Sequence, residues 1–88
     1  MALAQIAEIE RLKLAQRSEK LGEFLLRQLG GIHASRTPHH VRGLGLMAGL
    51  ELRRADNAPA TAESIVAIKE LLKRGYIFLP EGEHANII

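Results

Sequence analysis

Cysteine and tryptophan are absent from this chain, and only three aromatic residues are present: Phe24, Tyr76 and Phe78. Without cysteine there can be no disulfide framework, no thiol nucleophile and no thiolate metal site. The composition fits a reducing compartment, and a cytoplasmic location is expected. Three scattered aromatics offer little to stack on nucleic-acid bases. No apolar run approaches the roughly 18 residues that a membrane span needs. Glu8 and Glu10 interrupt the N-terminal stretch, and no signal-peptide pattern is visible. Charge of one sign is never concentrated either. The net charge is +2, but residues 1–29 carry five Lys/Arg against four Asp/Glu, residues 30–59 four against two, and residues 60–88 three against four. The basic stripe that marks a nucleic-acid binder is missing. There is no internal repeat and no low-complexity tract.

What remains is an ordinary globular composition, 47% hydrophobic and 25% charged over 88 residues, enough for one domain at most. A chain this short buries only about two-thirds of its unfolded surface. Its stability on its own is therefore expected to be on the order of a few kcal/mol.

Residues 41–52 are the most informative stretch. Apolar side chains fall on even positions (Leu44, Leu46, Ala48, Leu50, Leu52) and glycines on odd ones (Gly43, Gly45, Gly49). Successive strand residues point to opposite faces, so the pattern predicts one strand, about 41–53, with an apolar face and a nearly bare face. Glycine weakens a strand unless something packs close to it, so the bare face should be covered. Upstream, residues 2–29 have helical spacing, with Leu14, Leu21, Phe24, Leu25 and Leu29 on one stripe and Leu3, Ile6 and Ile9 on a shifted one. The phase change predicts a kink near 10–13 or two consecutive helices. Glu23 and Arg27 are placed for an i,i+4 pair, and Gly30-Gly31 for a left-handed helix stop. A loop with Pro38 spans 30–40, and a polar connection spans 54–60. A second amphipathic helix is predicted over 61–74, with Thr61 as N-cap. Ala62, Ile65, Ile68 and Leu72 should face inward, Lys73 and Arg74 suit the last turn, and Gly75 is the stop. Residues 76–79 read as a short strand, 80–83 as a turn, and 86–88 as the opening of another strand. Two or three residues are short for a strand, so the sheet is expected to be unfinished.

Candidate chemistry is sparse. Residues 43–48 match the loose pattern G-x-G-x-x-A, but a dinucleotide loop needs those glycines to open a helix, and here the strand pattern continues. His33, His39, His40 and His84 lack the paired spacing of a zinc site, and His39 and His40 would project to opposite sides of an extended chain. Glu81 and Glu83 flank Gly82 in a solvated turn. Lys69 lies among charged neighbours, unlike a Schiff-base lysine with a lowered pKa. Arg42 could meet a carboxylate or another anion. Ser18, Ser35 and Ser64 lack a nucleophile-elbow context.

Residues 41–52 nevertheless resemble a motif of the class III pyridoxal-phosphate aminotransferases, V-R-G-x-G-L-M-x-G-hydrophobic-E, at Arg42, Gly43, Gly45, Met47, Gly49 and Glu51. Around it, Lys20-Leu21-Gly22 with Phe24-Leu25-Leu26 resembles the preceding helix. Leu71 to Gly75 resembles the following helix and its stop. Tyr76 to Gly82 resembles a short strand with a Pro-x-Gly turn at Pro80 and Gly82, and Asn86-Ile87-Ile88 the next strand's opening. The resemblance runs in order over nearly the whole chain. It implies an α/β (α+β) fold: an incomplete small C-terminal domain of a fold-type-I aminotransferase, with helices packed on a short sheet. Residues 1–29 would be the helical segment linking to the small domain, and residues 30–88 a partial small domain. The implied parent is a homodimer, several times longer, that moves an amino group between an amine or amino acid and a 2-oxo acid. Its Schiff-base lysine, and the groups that hold pyridoxal phosphate, lie upstream of the region matched here, and a substrate-binding arginine follows the position of Ile88. No catalytic, cofactor-binding or metal residue is therefore assigned within these 88 residues, and the segment alone should be inactive and bind no cofactor. Its expected role is structural, closing one wall of the site and positioning loops such as Pro80-Glu81-Gly82. Its partner would be the rest of the parent enzyme, with no nucleic acid and no membrane. The glycine face and the edge at Ile87-Ile88 are the expected sites of association. The alternative reading is a free-standing α/β interaction module without catalytic activity.

Overall fold

The computed structural model describes residues 1–32 and 37–88. The readings made for His33 and Ser35 lie outside the described residues. Helix α1 spans Ala2–Arg11 and α2 spans Leu14–Gly30. Strands β1 (His39–Leu44) and β2 (Met47–Leu52) form an antiparallel hairpin, and α3 spans Thr61–Lys73. The result is an α+β unit with helices on a small sheet, as the fold reading had it.

The phase change near residue 10 is a true break. Lys13 adopts a left-handed conformation, φ 50°, and separates two helices. At the far end of α2 the chain stops at Gly30-Gly31 without a left-handed turn, since neither glycine has a positive φ. Glu23 and Arg27 are not paired. The helical ion pairs among the described residues are Arg11–Glu8 and Lys73–Glu70, both at i,i+3. α3 also departs from its expected capping. Ala60 is the N-cap, and the Thr61 hydroxyl donates instead to the carbonyl of His84. The inward stripe holds in its middle and shifts at its ends: Ile65 and Ile68 are half-buried as expected, Ala60 and Ser64 are buried and Leu71 half-buried, whereas Ala62 and Leu72 are exposed. Gly75, φ 91°, ends α3 as expected, with Tyr76 N–H on Leu71 O and Gly75 N–H on Leu72 O, both at 3.0 Å.

The single long strand expected over 41–53 is instead a hairpin. Leu44 pairs with Met47, and Gly45-Leu46 form the two-residue turn. Gly45 sits at the first central position with φ 57°, while Leu46 has no positive φ. That is the arrangement of a type II′ turn, whose twist matches the flanking strands. Folding back gives the glycines separate neighbours. A Cβ on Gly43 would lie 2.5 Å from Met47 O and 3.2 Å from Leu26 Cδ2, and one on Gly49 would lie 3.3 Å from Ile87 Cγ2. The expectation that each glycine has close cover holds, but not on one shared face.

Helix α2 crosses the hairpin at its turn. Ser18, Gly22 and Leu26, spaced four apart, line one face of the helix. Gly22 is buried, and a Cβ there would stand 2.0 Å from the carbonyl oxygen of Gly45. Ser18 Oγ is 3.2 Å from the Cβ position of Gly45. On the other side of β2, residues 86–88 extend the sheet. Leu50 and Ile88 exchange hydrogen bonds of 2.8 and 3.0 Å, and Leu52 N–H donates to Asn86 O at 2.8 Å. The expected strand over 76–79 has no ladder partner among the described residues; pairing begins only at Glu81, opposite Ile87.

Burial is thin. Among described apolar side chains only Ala60 is fully buried, joined by the polar Ser64 and Asn86. The accessible surface is 7112 Å², against about 5,100 Å² for a compact monomer of this mass. The radius of gyration is 15.9 Å, against about 12 Å for a compact domain of this length.

Two glycine substitutions test the helix–turn contact. Gly22→Ala should lower stability by roughly 1–3 kcal/mol through overpacking against backbone. Gly30→Ala, where nothing lies within 4 Å of the new Cβ, should be neutral or stabilising by up to about 1 kcal/mol. Urea unfolding followed by circular dichroism compares them; equal effects would remove the contact from the account.

Candidate functional site

The hairpin presents two unlike faces. On one, Ala48, Leu50 and Leu52 look into an open groove of about 540 Å³, walled by Leu25 and Leu29 of α2 and by Ala67 and Leu71 of α3. Thr37, His39 and Glu63 are its polar lining residues. Glu63 is held ionised, its pKa lowered by a backbone hydrogen bond at the helix start and by Arg54, 3.2 Å away. This face can cover apolar surface. The described serines point their protons elsewhere: Ser18 Oγ donates to Ala15 O and Ser64 Oγ to Ala60 O, both at 2.9 Å.

The opposite face carries Arg42, Gly49 and Glu51 of the motif, while Gly43, paired with Ala48, lies on the groove side. Glu51 lies across from His40 and is gripped from two sides. Arg42 Nη1 donates to Oε2 at 2.6 Å, and Arg53 Nη2 meets Oε1 at 2.6 Å. Arg42 is thus a carboxylate partner, one of the options its position left open. The Glu51 side chain is 14% exposed and that of Arg42 59%, so the carboxylate is the shielded member. The Arg42 hydrogen bond, followed by Arg53, lowers the pKa of Glu51. Leu44 and Met47, beside the turn, are exposed.

Gly49 and Gly82 meet through a residue the motif did not single out. Ile87 packs its Cγ2 3.3 Å from the Cβ position of Gly49 and its Cδ1 2.9 Å from that of Gly82. Gly82 has φ 82°, so the turn after Pro80 needs glycine for conformation and for space. The hairpin half of the motif and its Pro80–Gly82 half therefore converge on one isoleucine. Nothing in the residue pattern signalled this, because Gly49 lies far along the chain from Gly82 and Ile87. The Ser18–Gly22–Leu26 stripe was also missed; its four-residue spacing ending at a hairpin glycine was the available sign.

His39 lines the groove and His40 lies on the other face, so the two adjacent histidines do diverge. Among the described residues no three His, Asp or Glu side chains gather where they could hold a metal ion. No helix among them is long and apolar enough to cross a membrane. The glycines of residues 43–48 open no helix, so no dinucleotide cradle is formed.

A hairpin built on this motif, flanked by these helices, is matched over residues 1–88 by the family model for aminotransferase class-III, and the chain belongs to that family. No curated protein and no solved structure matches it. The residues present do not fit the family's cofactor. All four lysines, Lys13, Lys20, Lys69 and Lys73, are exposed, and Lys73 is paired with Glu70 at 2.6 Å. None lies in the desolvated pocket that a Schiff-base lysine occupies. Among the described residues the groove lining is mostly apolar, with Thr37, His39 and Glu63 as its polar members.

The depressed Glu51 pKa makes a pH test possible. A carboxylate whose pKa is lower folded than unfolded adds stability above its unfolded value, and loses it as pH falls through the folded value. The stability advantage of the wild type over Glu51→Gln should therefore be constant above the ordinary carboxylate pKa of about 4.5. It should vanish in more acidic solution. Denaturant titrations across that range measure it; a pH-independent difference would contradict the ionised triad.

Proposed function

We propose that this chain is the small-domain segment of a pyridoxal-phosphate-dependent class III aminotransferase. The parent transfers an amino group between an amine or amino acid and a 2-oxo acid, as a cytoplasmic homodimer. Residues 1–29 link to the small domain and residues 30–88 form part of it. The segment is inactive by itself and acts as a wall: its hairpin, stiffened by α2, holds the Pro80-Glu81-Gly82 turn in place toward the substrate side. The role of Arg42, Gly43, Gly45, Met47, Gly49, Glu51, Pro80 and Gly82 is to build that support.

The observation that carries this reading is the mismatch between area and length. The accessible surface exceeds that of a compact monomer by roughly two-fifths, and large apolar side chains contribute to it. Leu3, Ile6 and Ile9 on α1, Phe24 on α2, and residues 76–79 are all exposed. Such faces belong against further polypeptide. The family match over residues 1–88 supports an aminotransferase as the source of that polypeptide. A free-standing interaction module would share the open groove, but it gives no account of the motif.

Incubating the purified chain with pyridoxal phosphate should give no stoichiometric adduct at a single lysine after borohydride reduction, read by mass spectrometry. It should give no amino-group transfer from a panel of amines to 2-oxo acids. A one-to-one adduct or measurable transfer would overturn the inactive-wall reading.

A further inference from the structure

We infer that residues 80–86 are a latched turn, bent into a strained conformation and held shut by Thr61 and Asn86, so that the start of α3 controls whether it stays closed. Burial points to this place first. Apart from Gly22, the buried positions among the described residues are Ala60, Ser64 and Asn86. None of the three lines the apolar groove, and two of them are polar.

They sit on a closed circuit of hydrogen bonds. The carbonyl of Leu52 accepts two, from Ala60 N–H at 3.1 Å and from Asn86 Nδ2 at 2.9 Å. The N–H of Leu52 donates to Asn86 O at 2.8 Å. Ser64 N–H and Oγ both donate to Ala60 O, at 3.0 and 2.9 Å. Thr61, next to Ala60, donates its hydroxyl to His84 O, two residues before Asn86. The end of β2, the start of α3 and the turn are thereby joined in one ring. Thr61 is the link that ties the exposed tip, residues 83–84, to the helix.

The turn is held under strain. Gly82 and Ala85 both have positive φ, 82° and 49°. Glycine takes that conformation freely, but alanine does so against its own Cβ. Ala85 N–H closes onto Gly82 O at 3.1 Å, and Glu81 and Ile87 exchange bonds of 2.8 and 3.2 Å at the neck. Ile88 and Leu50 anchor the neck to the sheet. Loss of the Thr61 hydroxyl removes the tether of the tip and lets Ala85 relax, while the hairpin, built on other bonds, stays formed. Native proteins open locally in this way where a few hydrogen bonds hold an exposed segment. The latch belongs to the chain by itself and does not rest on the aminotransferase reading.

Amide hydrogen exchange of the full chain, followed residue by residue by NMR, reads the latch. Thr61→Val removes the hydroxyl and keeps the branched shape. It should speed exchange at Glu81, Ala85 and Ile87 about tenfold, the size of one net hydrogen bond, and leave the amides of the β1–β2 ladder at wild-type rates. Thr61→Ser, which keeps a hydroxyl, should exchange like the wild type. Ala85→Gly relieves the strain and should slow exchange at the same three amides several-fold. Unchanged rates in Thr61→Val overturn the inference. So does acceleration of the ladder by the same factor, which marks a general loss of stability, or faster exchange at the turn in Ala85→Gly. Each of these results leaves the cofactor experiment above unaffected.

Discussion

The close approach of α2 to the hairpin turn is the constraint on which the rest of the unit depends. The carbonyl of Gly45 lies so near Gly22 that no side chain fits between them. Gly45 must also hold a positive φ to close the turn. Two glycines therefore do different work at one point, one by giving up volume and the other by adopting a conformation other residues avoid. With the turn pinned there, the direction of β2 is set, and β2 in turn fixes the registers of β1 and of residues 86–88.

From this frame the two faces of the hairpin follow. Alternation along β2 sends Ala48, Leu50 and Leu52 toward the helices and leaves Gly49 and Glu51 on the other side. The helices do not meet over the apolar face, so it remains a groove. The charged face is better satisfied, since Glu51 has two arginine partners and Ile87 fills the space above Gly49. This inversion is unusual for a small domain, where the apolar side is normally the closed one. It agrees with the proposal that this unit rests against further polypeptide.

Much of the architecture was legible in the residues. The helical stripes located α1, α2 and α3, and their phase change located the break at Lys13. Residues 41–52 resembled the right family, yet their pattern misled on local structure. Even-spaced apolar residues look alike in one long strand and in two short strands joined by a two-residue turn. The clue was Gly45 followed by Leu46, the order a II′ turn uses, but without the asparagine or aspartate that usually advertises a hairpin. The capping of α3 was misplaced because Thr61 has a better partner in the distant carbonyl of His84. The meeting of Gly49, Gly82 and Ile87 was invisible for the same reason, being a matter of tertiary proximity.

Helix α1 has no buried side chain and only ten residues. Isolated helices of that length are marginal in water, and the left-handed Lys13 interrupts the hydrogen-bond ladder that could have let α2 lend it support. Its winding thus depends on whatever apolar surface Leu3, Ile6 and Ile9 rest against. The left-handed lysine is a joint that keeps this arm's winding separate from that of the sheet-bearing helix.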